Sequence, residues 1–367
     1  MIKKLLFTCL FSTILFGQED TYTKKQIEKM IAKMVVLGFK GESVTSSSKI
    51  YNDIKRYDLG GVILFDKDPN NKKKIKNIRN PEQLKKLTKQ LQSINKSKLL
   101  ISVDQEGGIV QRLNKKNGFI SIPKAKDIST KGISYAKDVY KDLAKVLNNS
   151  GVNVNFAPVV DLNINPNNTV IVKLGRSFGK NPKKVIEYSS VFIDELKKEN
   201  IISVLKHFPG HGSSLGDSHK GFVDISNTWN PKELEPYKYL IKDKKVDMIM
   251  TAHVFNKFLD PKYPATLSKS INTKLLRNKL KFDGVLVTDD LQMYAISKHY
   301  TLKQTVTLAI NSGVDLLLFA NQLAKPIDVE EIINTIYKQI VNKKISIKRI
   351  VESNNRINQM LEKYSLR

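Results

Sequence analysis

Ile201-Ile202-Ser203-Val204-Leu205-Lys206-His207-Phe208-Pro209-Gly210-His211-Gly212 is the stretch that decides how the chain is read. The run 201–205 is apolar and rich in β-branched residues, as a buried strand is. Pro209 and the glycines after it can propagate neither a helix nor a strand. The loop continues through Ser213, Ser214, Leu215 and Gly216 to Asp217-Ser218-His219, so three of the five histidines fall between positions 207 and 219. A buried strand thus ends by handing a lysine and several imidazoles to a loop. Proteins with parallel sheets place their chemistry at such strand ends.

Working outward, the same kind of short apolar run recurs at 34–39, 60–65, 99–104, 152–160, 246–251, 284–288 and 314–319. Between and around these runs, helical spacing is read at 23–33, 46–57, 81–96, 134–149, 182–199, 231–243, 273–280, 302–312, 329–342 and 347–364. Strands that are nearly continuously apolar are buried on both faces, as in a parallel sheet. Eight of them alternating with helices predict an α/β fold, a single (β/α)8 TIM-type barrel over residues 18–367. A doubly wound open sheet is the competing arrangement, but no Gly-x-Gly-x-x-Gly or phosphate loop marks a nucleotide site. The lysine- and asparagine-rich stretch 66–80 reads as a solvated insertion.

The 367 residues carry 62 basic and 35 acidic side chains, a formal net charge of +27. No recognition helix, zinc finger or RNA-binding aromatic motif accompanies that charge, so nucleic acid is not an expected partner. A lysine-rich solvated surface, with weak electrostatic association with an anionic envelope, is the expectation. The single cysteine, Cys9, lies in an apolar run, 5–16, behind Lys3 and Lys4. That pattern reads as a signal peptide over residues 1–17 and predicts export to the periplasm. One cysteine leaves no pair for a disulfide.

The strand ends carry polar residues in unusual number. Asp104-Gln105-Glu106-Gly107-Gly108 closes the third strand, with Arg112 just beyond. Asp161 and Arg176 follow the fourth, Lys206-His207 ends the fifth, His253 the sixth, and Thr288-Asp289-Asp290 the seventh. Carboxylates and cations around one barrel mouth suit a polyhydroxylated ligand, because they bond hydroxyl groups in opposite directions. Asp289, at a rigid strand end, is a candidate nucleophile for a glycosidic carbon. Asp217-x-His219 pairs an imidazole with a carboxylate able to orient it, a candidate proton donor on a mobile loop. Bland readings stand beside these. Asp290 suits a helix N-cap, Arg176 an inter-loop ion pair, His253 a satisfied structural role, and His211 a brace within the loop.

These residues resemble the signature of the β-N-acetylglucosaminidases of glycoside hydrolase family 3. The similarity lies in 206–212 with Asp217-Ser218-His219, in Val103-Asp104-Gln105-Glu106-Gly107-Gly108, and in Arg176-Ser177-Phe178. It continues in Met250-Thr251-Ala252-His253-Val254, Tyr263-Pro264-Ala265-Thr266-Leu267-Ser268 and Phe282-Asp283-Gly284-Val285 through Thr288-Asp289-Asp290-Leu291, and spans about residues 25–340. The resemblance implies retaining hydrolysis of a terminal, non-reducing β-linked N-acetylglucosamine from peptidoglycan fragments. Asp289 would be the nucleophile, His219 the acid/base and Asp217 its partner. Asp104, Arg112, Arg176, Lys206 and His207 would hold the sugar. No metal and no cofactor is implied, N-acetylglucosamine-containing muropeptides are the expected partners, and a monomer is expected. Some relatives add a C-terminal α/β sandwich domain, which is not expected here. Ile109 departs from the family, which commonly has arginine there.

Other classes remain open on sequence alone. A metallohydrolase could use His207, His211, His219 and Asp217, although Pro209-Gly210 forbid the helix that would align the first two histidines. A non-catalytic envelope-binding protein would make the charge its working feature. A histidine acid/base would also suit phosphorolysis, because it spares phosphate the repulsion of a carboxylate.

Overall fold

The computed structural model describes residues 22–95, 97–218, 221–322 and 325–364. The expected signal peptide and His219 lie outside the described residues. Among those described, no helix is long and apolar enough to cross a membrane.

Eight parallel strands form the barrel: β1 (Val35–Gly38), β2 (Gly61–Ile63), β3 (Leu100–Val103), β4 (Val154–Asn155), β5 (Ile202–Phe208), β6 (Met248–Thr251), β7 (Val285–Thr288) and β8 (Leu317–Phe319). Each hydrogen-bonds to its neighbour in chain order, and β1 pairs with β8 in register Val35 to Leu317. A parallel bridge between Val287 and Leu316 brings β7 and β8 together and closes the ring. Every residue of these strands is buried, including the polar Asn155, Ser203, Lys206 and His207, so most of the strands read as predominantly apolar runs.

The outer ring comprises α1 (Lys24–Lys33), α2 (Lys49–Tyr57), α3 (Pro81–Gln92), α4 (Ile133–Asn149), α5 (Pro182–Lys198), α6 (Glu235–Lys242), α7 (Ser270–Lys279), α8 (Leu302–Ser312), α9 (Val329–Val341) and α10 (Ile347–Lys363). Local chemistry sets their starts. Thr23 and Thr301 each form a capping box with the glutamine three residues on. Asn80 and Asn181 cap helices that open on proline. α7 differs from expectation in its winding, which is π-helical.

Two expectations need correction. The fourth strand is two residues long rather than nine: beyond Asn155 regular pairing is interrupted at Ala157-Pro158, where proline has no N–H to give. The chain nonetheless stays beside β5 through bonds from Val204 N–H to the Ala157 carbonyl and from Lys206 N–H to the Pro158 carbonyl, and through the Val159–Lys206 bridge. The stretch 66–80 is not a solvated insertion throughout. Lys67–Asp68 and Asn71–Ile75 pair as an antiparallel hairpin, and the residues after it turn inward. Lys76 is buried and donates to the carbonyls of Ala320 and Asn321 and to Gln322. Asn77 bonds Phe39, Gly41 and Phe65. The hairpin is therefore pinned to the loop after β8 at the barrel mouth.

Candidate active site

The C-terminal ends of the strands surround a cavity of about 310 Å³. Asp104, Arg112, Arg176, Lys206, His207 and Asp289, six of the residues singled out from sequence, line it. Between β5 and β6 the register slips: Ile249 pairs with Leu205, but Thr251 pairs with Phe208. β5 thus carries one extra residue, and such a bulge re-aims side chains. Consecutive Lys206 and His207 consequently face the same cavity.

The cations and carboxylates interlock. Lys206 Nζ lies 2.9 Å from Asp104 Oδ1 and 2.7 Å from Glu106 Oε1. Arg176 makes a two-point contact with Glu106, both bonds 2.7 Å, and Arg112 donates to Asp104 at 3.3 Å. Burial would raise the Glu106 carboxyl, but Arg176 and Lys206 outweigh it and hold it at about 2. Asp104 is likewise lowered against its burial by Lys206 and Arg112. Burial opposes the Lys206 charge, yet Asp104 and Glu106 keep its pKa above the ordinary value. The lattice is thus fully ionised at neutral pH, with donors and acceptors held rigidly for hydroxyl groups.

Asp161, buried behind this lattice, organises the histidines. Its carboxylate accepts from His207 Nδ1 at 2.7 Å and from the backbone N–H groups of His207 and His211. That leaves His207 Nε2 directed at Arg176, 3.4 Å away. His211 is the loop brace: its Nδ1 meets Ser214 Oγ at 2.8 Å, and burial lowers its pKa to about 4. Asn168, unremarked from sequence, donates to the His211 carbonyl and to Ser214 Oγ.

The first half of the loop is anchored, contrary to the expectation of a mobile span starting at Pro209. Trp229 donates to the Pro209 carbonyl. The glycines answer to close approach: a Cβ on Gly212 would lie 1.7 Å from the Leu162 carbonyl oxygen, and Gly210 has φ +119° with Glu233 beneath it. Glu233 is fully buried and accepts from Gly212 N–H at 2.9 Å. Burial, reinforced by Asp161, pushes its carboxyl up to about 8 from an ordinary 4.5. Its contribution to stability is therefore whole below about pH 4.5 and is lost as pH rises to about 8. Urea unfolding at pH 5 and pH 8 should show Glu233→Gln losing less stability across this interval than the native chain. Equal losses would contradict a neutral Glu233.

Asp289 stands at the tip of β7. Its backbone N–H reaches the Thr251 carbonyl at 3.3 Å, and its Oδ1 accepts from the Asp290 N–H at 2.8 Å. Asp290 is no helix cap. It is buried, and its Oδ1 accepts from the N–H groups of Gln292 and Ala320, stitching the ends of β7 and β8 together. Burial, with Asp289 adding to it, raises its carboxyl to about 6. His253 is held on both nitrogens, by Thr266 Oγ1 and by the Asp290 carbonyl. A carbonyl only accepts, so His253 Nε2 carries a proton and fixes the peptide next to Asp289. Asp217 is half-buried. Ser218, one residue on, lines the cavity, and its carbonyl accepts from Ala295.

The family model described as the glycosyl hydrolase family 3 N-terminal domain matches residues 25–360. The chain belongs to glycoside hydrolase family 3. Among its relatives, beta-hexosaminidase A of Pseudoalteromonas piscicida is 38% identical over 305 residues, covering 76% of this chain and 48% of that protein. The beta-hexosaminidase of Tolumonas auensis is 36% identical, covering 72% and 77%. The family 3 beta-N-acetylglucosaminidase of Paenibacillus sp. str. FPU-7 superposes with a TM-score of 0.82 at 31% identity, over 92% of this chain and 62% of that one. The chain thus spans about half the length of the Pseudoalteromonas relative and under two thirds of the Paenibacillus structure.

Glu106 is the site residue that sequence reasoning left off. Three cations converge here, and Asp104 alone cannot balance them; that imbalance was the available signal. Removing one partner of a buried ion pair strands the other charge. Glu106→Ala should therefore lower the unfolding free energy by about 3 kcal/mol. An unchanged denaturation midpoint would contradict the lattice.

Proposed function

We propose that this family 3 protein is a retaining exo-β-N-acetylglucosaminidase that removes terminal, non-reducing N-acetylglucosamine from peptidoglycan fragments. The observation that carries the reading is the position of the Asp289 carboxylate, on the wall of a cavity otherwise lined by Asp104, Arg112, Arg176, Lys206 and His207. The naming of its relatives as beta-hexosaminidases and a beta-N-acetylglucosaminidase supports it.

In this mechanism the ionised lattice holds the sugar hydroxyls. The Asp289 carboxylate attacks the anomeric carbon while the glycosidic oxygen leaves, taking a proton from His219. Asp217 orients His219 and stabilises its charged form. The neutral imidazole then deprotonates a water that attacks the glycosyl ester, releasing Asp289 and restoring the proton to His219. Two inversions at one carbon retain the β configuration.

The leaving group would extend into a neighbouring cavity of about 580 Å³, joined to the first through Arg112 and Gln322. Lys67, Arg112, Lys115 and Lys116 line it against two carboxylates, Asp66 and Asp68, the latter paired with Lys40. That excess of positive charge favours a carboxylate-bearing aglycone, as an N-acetylmuramic acid residue is. Ile109, the departure from the family pattern, is 63% exposed on this wall. Residues 1–17 are proposed to direct export, on the strength of their basic start and apolar run.

The test is incubation of the purified protein with a muramidase digest of cell wall, followed by mass analysis. Loss of one N-acetylglucosamine from disaccharide fragments supports the reading. Intact fragments alongside hydrolysis of a synthetic N-acetyl-β-glucosaminide would retain the glycosidase and reject the wall substrate.

A further inference from the structure

A second polar cluster lies at the opposite, N-terminal end of the barrel, and the reaction above makes no use of it. Asp315, just before β8, is fully buried. Three guanidinium groups converge on its one carboxylate: Arg277 from α7 at 2.5 Å, and Arg349 and Arg356 from α10 at 2.9 Å and 3.2 Å. Ser353 Oγ and the Leu286 N–H donate to it as well.

Asp315 is over-committed, and its cations are under-compensated. Backbone carbonyls take up much of the remaining donor capacity: Arg277 bonds Gly284, and Arg349 bonds Ile310 and Val314. Carbonyls satisfy N–H groups, but they do not cancel charge. Arg349 Nη1 is buried without a hydrogen-bond partner, with Glu352 standing off at 3.8 Å. A cavity of about 280 Å³ opens over the cluster, lined by the three arginines and also by Lys269, Asn311 and Glu352. Four cationic groups there face two carboxylates. The Arg277 guanidinium is lowered in pKa, first by burial and then by Arg356 and Arg349 against the pull of Asp315, a direction consistent with excess positive charge.

We propose that this basal cavity binds a phosphate-type oxyanion. Its donors come from α7, from α8 through Asn311, and from α10, so they approach from several directions, as a tetrahedral ion requires. The ion neutralises the excess charge of the cluster. It ties α10 to the helices before β7 and β8, remote from the sugar pocket.

Isothermal titration of the full chain with inorganic phosphate, in chloride buffer at constant ionic strength, tests this. Glycerol phosphate in a parallel titration tells whether the free ion or a phosphomonoester is the better ligand. Saturable binding of either, with a rise in Tm of a few degrees, is expected. Lys269 is exposed, so Lys269→Glu should fold normally, weaken that binding by about fivefold or more, and leave glycoside hydrolysis unchanged. Arg356→Gln should weaken it as well. No saturable binding of either ligand overturns the proposal. So does an affinity unaltered in both variants, which would place the ion among the cations of the sugar pocket.

Discussion

Asp289→Ala is expected to lower kcat/KM for an aryl N-acetyl-β-glucosaminide by at least ~10³-fold, with an unchanged denaturation midpoint. The side chain stands at the end of a rigid strand, on the wall of the cavity, and the other carboxylates nearby are built into the structure of that wall. Asp104 and Glu106 are each engaged by cations, and Asp161 by His207 and two backbone N–H groups. Asp290 holds two backbone N–H groups. None of these can substitute for Asp289 without dismantling the wall to which it belongs. Added azide should restore turnover in this variant, entering the vacated space and attacking the anomeric carbon directly. The product would then be the glycosyl azide of inverted configuration, with the aryl group departing as its anion. Residual activity within tenfold of the native level would contradict the assignment of Asp289.

His219→Ala should show a loss that depends on the leaving group. On a poor leaving group, whose oxygen needs a proton, glycosylation should slow by about 10²–10⁴-fold. On a dinitrophenyl glycoside, whose anion departs unaided, the same step should be nearly unaffected. Asp217→Asn should follow the same trend with a smaller loss, because it removes the orienting charge and keeps the imidazole. Rapid-mixing measurement of the first turnover on both substrates separates this from a structural defect. Equal losses on good and poor leaving groups would deny the proton to His219.

The barrel was legible because its strands are buried on both faces. Apolar runs such as 284–288 and 314–319 can be read one at a time, and the ends of the real strands fall close to them. The fourth strand was overextended because 152–160 stays apolar after regular pairing has ended. These residues stay buried beside β5 without regular pairing, and hydropathy does not distinguish a paired strand from such a segment. The stretch 66–80 misled for the opposite reason. Its lysines look alike in sequence, yet Lys76 finds two carbonyls and an amide at the barrel mouth.

At the site, the cavity-lining cations and Asp289 were legible as polar residues at strand ends. Their supports were not. Glu106 sits beside Asp104 in sequence, but its value lies in Arg176, 70 positions away. Glu233 follows a proline in what reads as the solvated first turn of a helix. Only the packed loop shows that it lies buried beneath Gly210 and Gly212. Asn168 likewise acts in part through the His211 carbonyl, and a backbone partner leaves no trace in residue types. The glycines of the loop read from sequence as breaks in regular structure; in the folded chain Gly210 and Gly212 also allow the backbone to come close to its neighbours.

The most direct test is to trap the glycosyl ester. The His219→Ala variant, mixed with a dinitrophenyl N-acetyl-β-glucosaminide, should be glycosylated quickly and deglycosylated slowly, because water loses its general base. Acid quenching, proteolysis and mass spectrometry should then find one N-acetylglucosaminyl group on the peptide carrying Asp289, absent when Asp289 is also replaced. Dinitrophenol release with no covalent adduct, or an adduct on any other side chain, would contradict the account.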